Sequence, residues 1–272
     1  AYIENYGVNS LFWSLFEEDI KEMIRPNLKG YTSELAQYYH SKGQKSKNLK
    51  SKFNALLIAA RWYQEYIDTF PHDDKLGEMY FLKAETLYEV GRFKDAIAAY
   101  VSGGFDTKKH EKSEESAFAA LVAYNRIIKA SKGEAKTQWL EQKVDTALRF
   151  ADVYPNNKNT VQVLARAAQG LFSLNKYALA AATSARVLRS GGATTKQRSV
   201  AYLIQGHSQF DLNNFKPAEE SYTAALDLKQ VKKSELKNVR EKLAASIYKQ
   251  GVAQIESGDI DEAVNNFMRV GK

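Results

Sequence analysis

The sequence predicts an all-α chain built from repeated helix–turn–helix units, and three observations carry that prediction. First, one phrase recurs: Gly or Asn, one residue, an aromatic or aliphatic, two residues, a small residue, three residues, an aromatic. It reads Gly91–Phe93–Ala96–Tyr100, Asn213–Phe215–Ala218–Tyr222 and Gly258–Ile260–Ala263–Phe267, and more loosely Asn175–Tyr177–Ala180–Ser184. Second, a small residue stands seven positions before each Gly or Asn: Ala84, Ala168, Gly206 and Gly251. Two helices that cross closely need a small side chain at the contact and a large one filling the space beside it. Third, no segment keeps up the alternation of apolar and polar residues that marks a strand, so no sheet is expected.

In chain order, residues 10–24 carry Leu11, Phe12, Leu15, Phe16, Ile20, Met23 and Ile24 on a broad apolar stripe, which Pro26 is expected to stop. A short helix over 31–41 and a long one over 49–70 follow, the latter with Leu56, Ala59, Ala60, Tyr63, Ile67 and Phe70 on one face. Paired helices are then predicted at 76–90 with 93–102, 113–130 with 137–154, and 159–174 with 177–190. The last pairs are 195–212 with 215–229, and 235–257 with 260–270. Pro71 and Pro155 sit just past predicted helix ends, and Gly103–Gly104 and Gly191–Gly192 are expected to supply left-handed stops.

These phrases resemble the tetratricopeptide repeat. The turns at 91, 175, 213 and 258 leave a first interval roughly twice the others, against about 34 residues in an unbroken array. Residues 117–155 fit that gap as one further unit with an enlarged turn. The resemblance covers 76–272 well and 49–75 in part, and residues 1–48 do not show it. It implies a right-handed superhelical α-solenoid, with 1–48 as an N-terminal helical cap and 49–272 as the repeat array. The stretch Phe267–Met268–Arg269–Val270–Gly271–Lys272 ends without a polar capping helix, so the repeats or a cap are expected to continue beyond Lys272.

Composition narrows the chemistry. The 272 residues contain no cysteine, which removes disulfides, thiol nucleophiles and Cys-ligated metals. No apolar run approaches the roughly 20 residues of a spanning helix. His40, His72, His110 and His207 are scattered, Glu17, Glu18 and Asp19 point in different directions on a helix, and Asp106 and His110 lie in an inter-helix connection that matches no ligand or catalytic motif. No catalytic residue, metal site or cofactor is therefore expected, and the chain reads as a non-enzyme. The net charge of +7 is dispersed except at Lys42, Lys45, Lys47, Lys50 and Lys52. That run reads as a solvated inter-helix loop, or as a contact for an anionic polymer. It lacks arginine and interleaved aromatics, which speaks against sequence-specific nucleic-acid recognition.

In the family the sequence resembles, the first helix of each unit lines a concave groove. Projecting that stripe gives Phe81, Glu85 and Tyr88, then Ala165, Gln169 and Phe172, then Leu203, His207 and Phe210, then Tyr248, Val252 and Ile255. The nominated partner-binding residues are Phe81, Glu85, Tyr88, Gln169, Phe172, His207, Phe210 and Tyr248; the alternative is that most of their aromatics are core. Phe81, Ala165 and Leu203 stand where a carboxylate-clamp subgroup would place cations, so the apolar groove suits a helical or extended partner segment. The implied function is a protein-binding scaffold; the alternative is a cell-wall polysaccharide module using exposed aromatics and the lysine run. Residues 60–100 further resemble the repeat style of bacterial cell-envelope proteins, which implies a periplasmic or outer-membrane-associated setting.

Overall fold

A computed structural model describes residues 5–7 and 10–270; the expected continuation past Lys272 lies outside the described residues. Among the described residues there is no strand, and thirteen α-helices follow one another. They are α1 (Leu11–Leu15), α2 (Glu18–Lys45), α3 (Leu49–Thr69), α4 (Leu76–Glu89), α5 (Phe93–Val101), α6 (Ser113–Ala130) and α7 (Gly133–Val153). Then come α8 (Thr160–Ser173), α9 (Tyr177–Arg189), α10 (Thr195–Asp211), α11 (Phe215–Asp227), α12 (Lys233–Ser257) and α13 (Ile260–Arg269). The fold is all-α and built from stacked helix–turn–helix repeats. It divides into two compact units, Ala1–Trp139 and Leu140–Lys272.

Each recurrent phrase begins at a left-handed residue. Gly91, Asn175, Asn213 and Gly258 have φ of 79°, 57°, 60° and 85°. An ordinary L-residue pays about 1–2 kcal/mol for that conformation, whereas Gly pays nothing and Asn little. The chain reverses there, and the small residues meet the second helix as predicted. A Cβ on Gly206 would lie 2.9 Å from the Tyr222 ring, and one on Gly251 would lie 2.7 Å from Phe267. Ala84 and Ala168 are fully buried, Ala84 in one core with Ala96 and Tyr100, Ala168 in another with Ala180 and Leu171.

Three expectations need correction. Pro26 does not stop a helix: α2 runs from Glu18 to Lys45 straight through it, and the break falls at Phe16–Glu17 instead. Pro26 and Glu22, whose carbonyl the proline cannot bond, are both exposed. The buried face of α2, Leu28, Thr32, Ala36, His40 and Gly43, holds the helix together along α3. The long α2 thus shares a core with Tyr63, Tyr66, Ile67 and Phe70 across position 48.

Second, neither Gly103–Gly104 nor Gly191–Gly192 is left-handed. Gly103 and Gly104 lie in a π-helical turn, Ser102–Asp106, that extends α5. A Cβ on Gly104 would meet the Ala117 backbone nitrogen at 2.6 Å, so the glycine is required by close approach rather than by φ. Third, the lysine run is not a loop. Lys42 and Lys45 lie in the last turn of α2, and Lys50 and Lys52 lie near the start of α3. Only residues 46–48 separate the helices, and Asn48 caps α3 by accepting from the Ser51 amide at 2.9 Å.

Candidate functional site

In the second unit the first helices of successive pairs lie side by side: α8 contacts α10, and α10 shares a core with α12 through Leu203, Val239 and Leu243. Their outward stripe carries most of the nominated residues. Gln169 is exposed, Phe172 and Phe210 are partly buried, and Tyr248 and Ile255 are each 51% exposed. Phe172 packs between Tyr177 and His207, at ring centroid distances of 5.5 and 5.8 Å. Phe210 lies 5.5 Å from Phe215, and the Lys242 ammonium sits 3.9 Å above its ring. Tyr248 touches Phe267 at 5.5 Å while leaving half its surface open.

His207 is not a free ligand group. Its Nδ1 lies 2.8 Å from the hydroxyl of the fully buried Tyr222. Burial, reinforced by the Lys242 charge, pulls its pKa below the ordinary 6.5, so the ring is neutral at pH 7. In the first unit Glu85 accepts a hydrogen bond from the Tyr100 hydroxyl. His40 pairs with Tyr63 in the same way, at 3.0 Å, and burial lowers its pKa too. A first-helix polar group thus repeatedly meets a buried second-helix tyrosine.

Where the second helix lacks the hydroxyl, the first helix lacks the polar partner: Val252 stands at the corresponding place opposite Phe267. In the loose copy, Ser184 is buried with an unpartnered hydroxyl and Gln169 stays at the surface. This pairing was invisible along one helix and legible only by reading two helices together.

Phe81 is a correction. It is 8% exposed, sits in the core against Tyr100, and does not offer a contact surface. Tyr88 is partly buried between Phe93 and Tyr100, and its hydroxyl accepts from Arg126 at 3.0 Å. Lys52 pairs with Glu89 at 2.9 Å, and the Lys42 ammonium lies 5.8 Å from the rings of Tyr38 and Tyr39. The five lysines therefore do not act as one open cationic cluster. His110 is structural, since its Nε2 lies 2.9 Å from the Gly103 carbonyl and steadies the π turn. Among the described residues no group of His, Asp and Glu could hold a metal, and no helix is long and apolar enough to cross a membrane.

One cleft in the first unit was not foreseen from the sequence. It holds about 580 Å³ on a different face of α4 from Glu85 and Tyr88. Leu57, Arg61 and Gln64 of α3 form one wall, Tyr80, Lys83 and Leu87 of α4 the floor, and Arg92 with residues of α5 the other wall. The available signal was the spacing of Leu49, Phe53 and Leu57, which falls outside the buried face of α3 and is 69%, 41% and 38% exposed.

Comparison with known proteins gives one family match and several distant structural likenesses. Residues 199–231, covering most of α10 and all of α11, match the family described as Tetratricopeptide repeat, and this segment is such a repeat. Among solved structures, a mutant of MamA is 18% identical, with a TM-score of 0.41, covering 71% of this chain and 90% of that one. BtubC from P. vanneervenii is 13% identical, with a TM-score of 0.35 and coverage of 83% and 90%. The human IFIT1 dimer with PPP-AAAA is 13% identical, with a TM-score of 0.40 and coverage of 89% and 63%. A search of curated proteins by sequence finds no match.

Proposed function

We propose that the chain is a non-catalytic protein-interaction scaffold. The matched repeat belongs to a family that is generally an interaction fold, and function must be argued from the face it presents. The observation that carries the reading is the stripe of α8, α10 and α12. It presents Gln169, Phe172, Phe210, Tyr248 and Ile255 from consecutive first helices, with Tyr248 and Ile255 half open. Apolar rings beside mostly neutral polar groups, with the Lys242 ammonium over Phe210, suit the apolar side of a partner helix or an extended segment. The neutral His207 behind them adds no charge that would select an anionic terminus.

A photo-reactive cross-linker placed at Tyr248 or Gln169 in native cells should trap a defined protein, and one at the exposed Lys136 should not. Tyr248→Ser combined with Ile255→Ser should reduce capture severalfold while leaving the melting temperature within about 2 °C, because both side chains are half exposed. Capture that survives the double substitution sinks the assignment of this face. The cell-envelope setting is part of the proposal, supported by the style of residues 60–100, and fractionation of native cells tests it. Co-sedimentation with purified peptidoglycan in the absence of any captured protein would favour a polysaccharide-binding module instead.

A further inference from the structure

The cleft between α3 and α5, floored by α4, carries features unlike those of the stripe on α8, α10 and α12. Its lining includes three cations, Arg61, Lys83 and Arg92, and one carboxylate, Asp95. Asp95 is engaged by Arg92 at 3.5 Å in an exposed pair, which contributes little. Arg61 stacks on Trp62 with its guanidinium 4.9 Å from the ring, which leaves its edge donors open to a ligand. Lys83 is partly buried on the floor, and its ammonium donates to the neutral Gln64 side-chain oxygen. Gln64 in turn donates to Asp68 at 2.6 Å, so the nearest carboxylate on α3 is tied up at one remove from the lysine.

An ammonium taken partly out of water and paired with one amide oxygen is under-compensated, and an incoming carboxylate would complete it. Burial lowers the Lys83 pKa, with Asp68 and Asp95 opposing, in accord with this geometry. A second observation fixes the rest of the ligand. Leu49, Phe53 and Leu57, four residues apart on α3, form an exposed apolar ridge that runs into the cleft at Leu57, Ala60 and Gln64. The surface is thus an apolar ridge leading into a net basic pocket.

We propose that this is a second interaction site, which takes an amphipathic acidic segment of a partner protein. A carboxylate of that segment meets Lys83 between Arg61 and Arg92, and its apolar side chains lie along Leu57, Phe53 and Leu49. The site shares no residue with the stripe on the second unit and does not depend on it. Charge complementarity selects the acidic ligand and the ridge selects an apolar one, so neither a basic peptide nor a polyglutamate should satisfy both.

The test uses the full chain and a fluorescein-labelled peptide with the repeating pattern Leu-Glu-Glu-Leu, read by anisotropy. Its Lys-substituted counterpart and a polyglutamate of equal length serve as comparison ligands. The acidic amphipathic peptide should bind and weaken with added salt, and the other two should bind much less. Lys83→Met and Leu57→Ser should each reduce affinity about tenfold or more. Tyr248→Ser, in the second unit, should leave it unchanged, and circular dichroism melts should show each variant folded. Hydrogen exchange should place peptide-dependent protection in α3, α4 and α5. Binding indifferent to Lys83→Met and Leu57→Ser in folded protein, equal binding of the basic peptide, or no binding of the acidic amphipathic probe would overturn the proposal.

Discussion

At the scale of single residues, the small-against-large contacts make a discriminating prediction. Gly206 and Gly251 occupy equivalent places, yet their neighbours differ in freedom. The Tyr222 ring is fully buried and held by His207, so it cannot retreat from a new methyl group. Phe267 is partly exposed on the last helix of the described chain and can give way. Gly206→Ala should therefore destabilise by about 1–3 kcal/mol despite alanine's better helix propensity. Gly251→Ala should be near neutral. Thermal or urea melts of the two variants check this, and equal losses would refute the difference in packing.

His207 and His40 give a pH prediction at the same scale. Burial depresses both pKa values below 6.5 in the folded chain, so the unfolded chain binds more protons in mildly acidic solution. Stability is then complete above about pH 6.5 and falls as pH drops below that value towards the folded-state pKa values. Tyr222→Phe should cost about 1 kcal/mol by removing the hydroxyl that engages Nδ1. Urea midpoints measured across pH 5–8 would show both effects, and a flat profile over that range would contradict the buried, neutral imidazoles.

At the scale of elements, the repeat phrase was legible because its turn residue, small contact and aromatic filler are each imposed by local geometry. Asn213 and Gly258 announce a left-handed turn, and Ala218 and Ala263 announce a crossing. The leading segment was not legible in the same way. Pro26 is a strong local stop signal, but tertiary burial of Leu28, Ala36 and His40 outweighs it, which no helix propensity could show. A prediction follows from that conflict. Pro26→Ala should restore a backbone donor and raise stability by about 1–3 kcal/mol, since the site is exposed. An unchanged or lower melting temperature would contradict it. The lysine run misled for a related reason: charge density says that side chains are solvated, not that the backbone is irregular.

At the scale of the whole molecule, stability should be distributed along the chain rather than uniform, as in other arrays built of neighbour contacts. α1 has no buried residue, whereas α4, α5, α10 and α11 each contribute fully buried side chains to a core. Native-state hydrogen exchange should find α1 exchanging first and α4, α5, α10 and α11 last. Fast exchange in α10 would contradict the packing of Gly206 on Tyr222. The candidate site was legible only as a stripe of helical positions. Tyr248, Phe210 and Gln169 could be placed on it from spacing, but exposure could not, and Phe81 turned out to be core. The apolar ridge left a trace in the spacing of Leu49, Phe53 and Leu57, but the basic lining could not be read, because Arg61 and Lys83 lie on two helices and Arg92 in the turn before a third, and they meet only in the fold.

The matched polar pairs also bear on how such a chain avoids mistaking one of its own hairpins for another. Near-identical phrases invite a second helix to dock on the wrong first helix, since the left-handed turn and the small-residue notch are common to all. The tyrosine partner is not common to all. Tyr222 beside Val252 would bury a hydroxyl without an acceptor, at a cost of about 1–3 kcal/mol, and Phe267 beside His207 would strand the imidazole. The hydroxyl and its partner thus work as a mark that sets the three hairpins carrying the pair apart from the two that lack it.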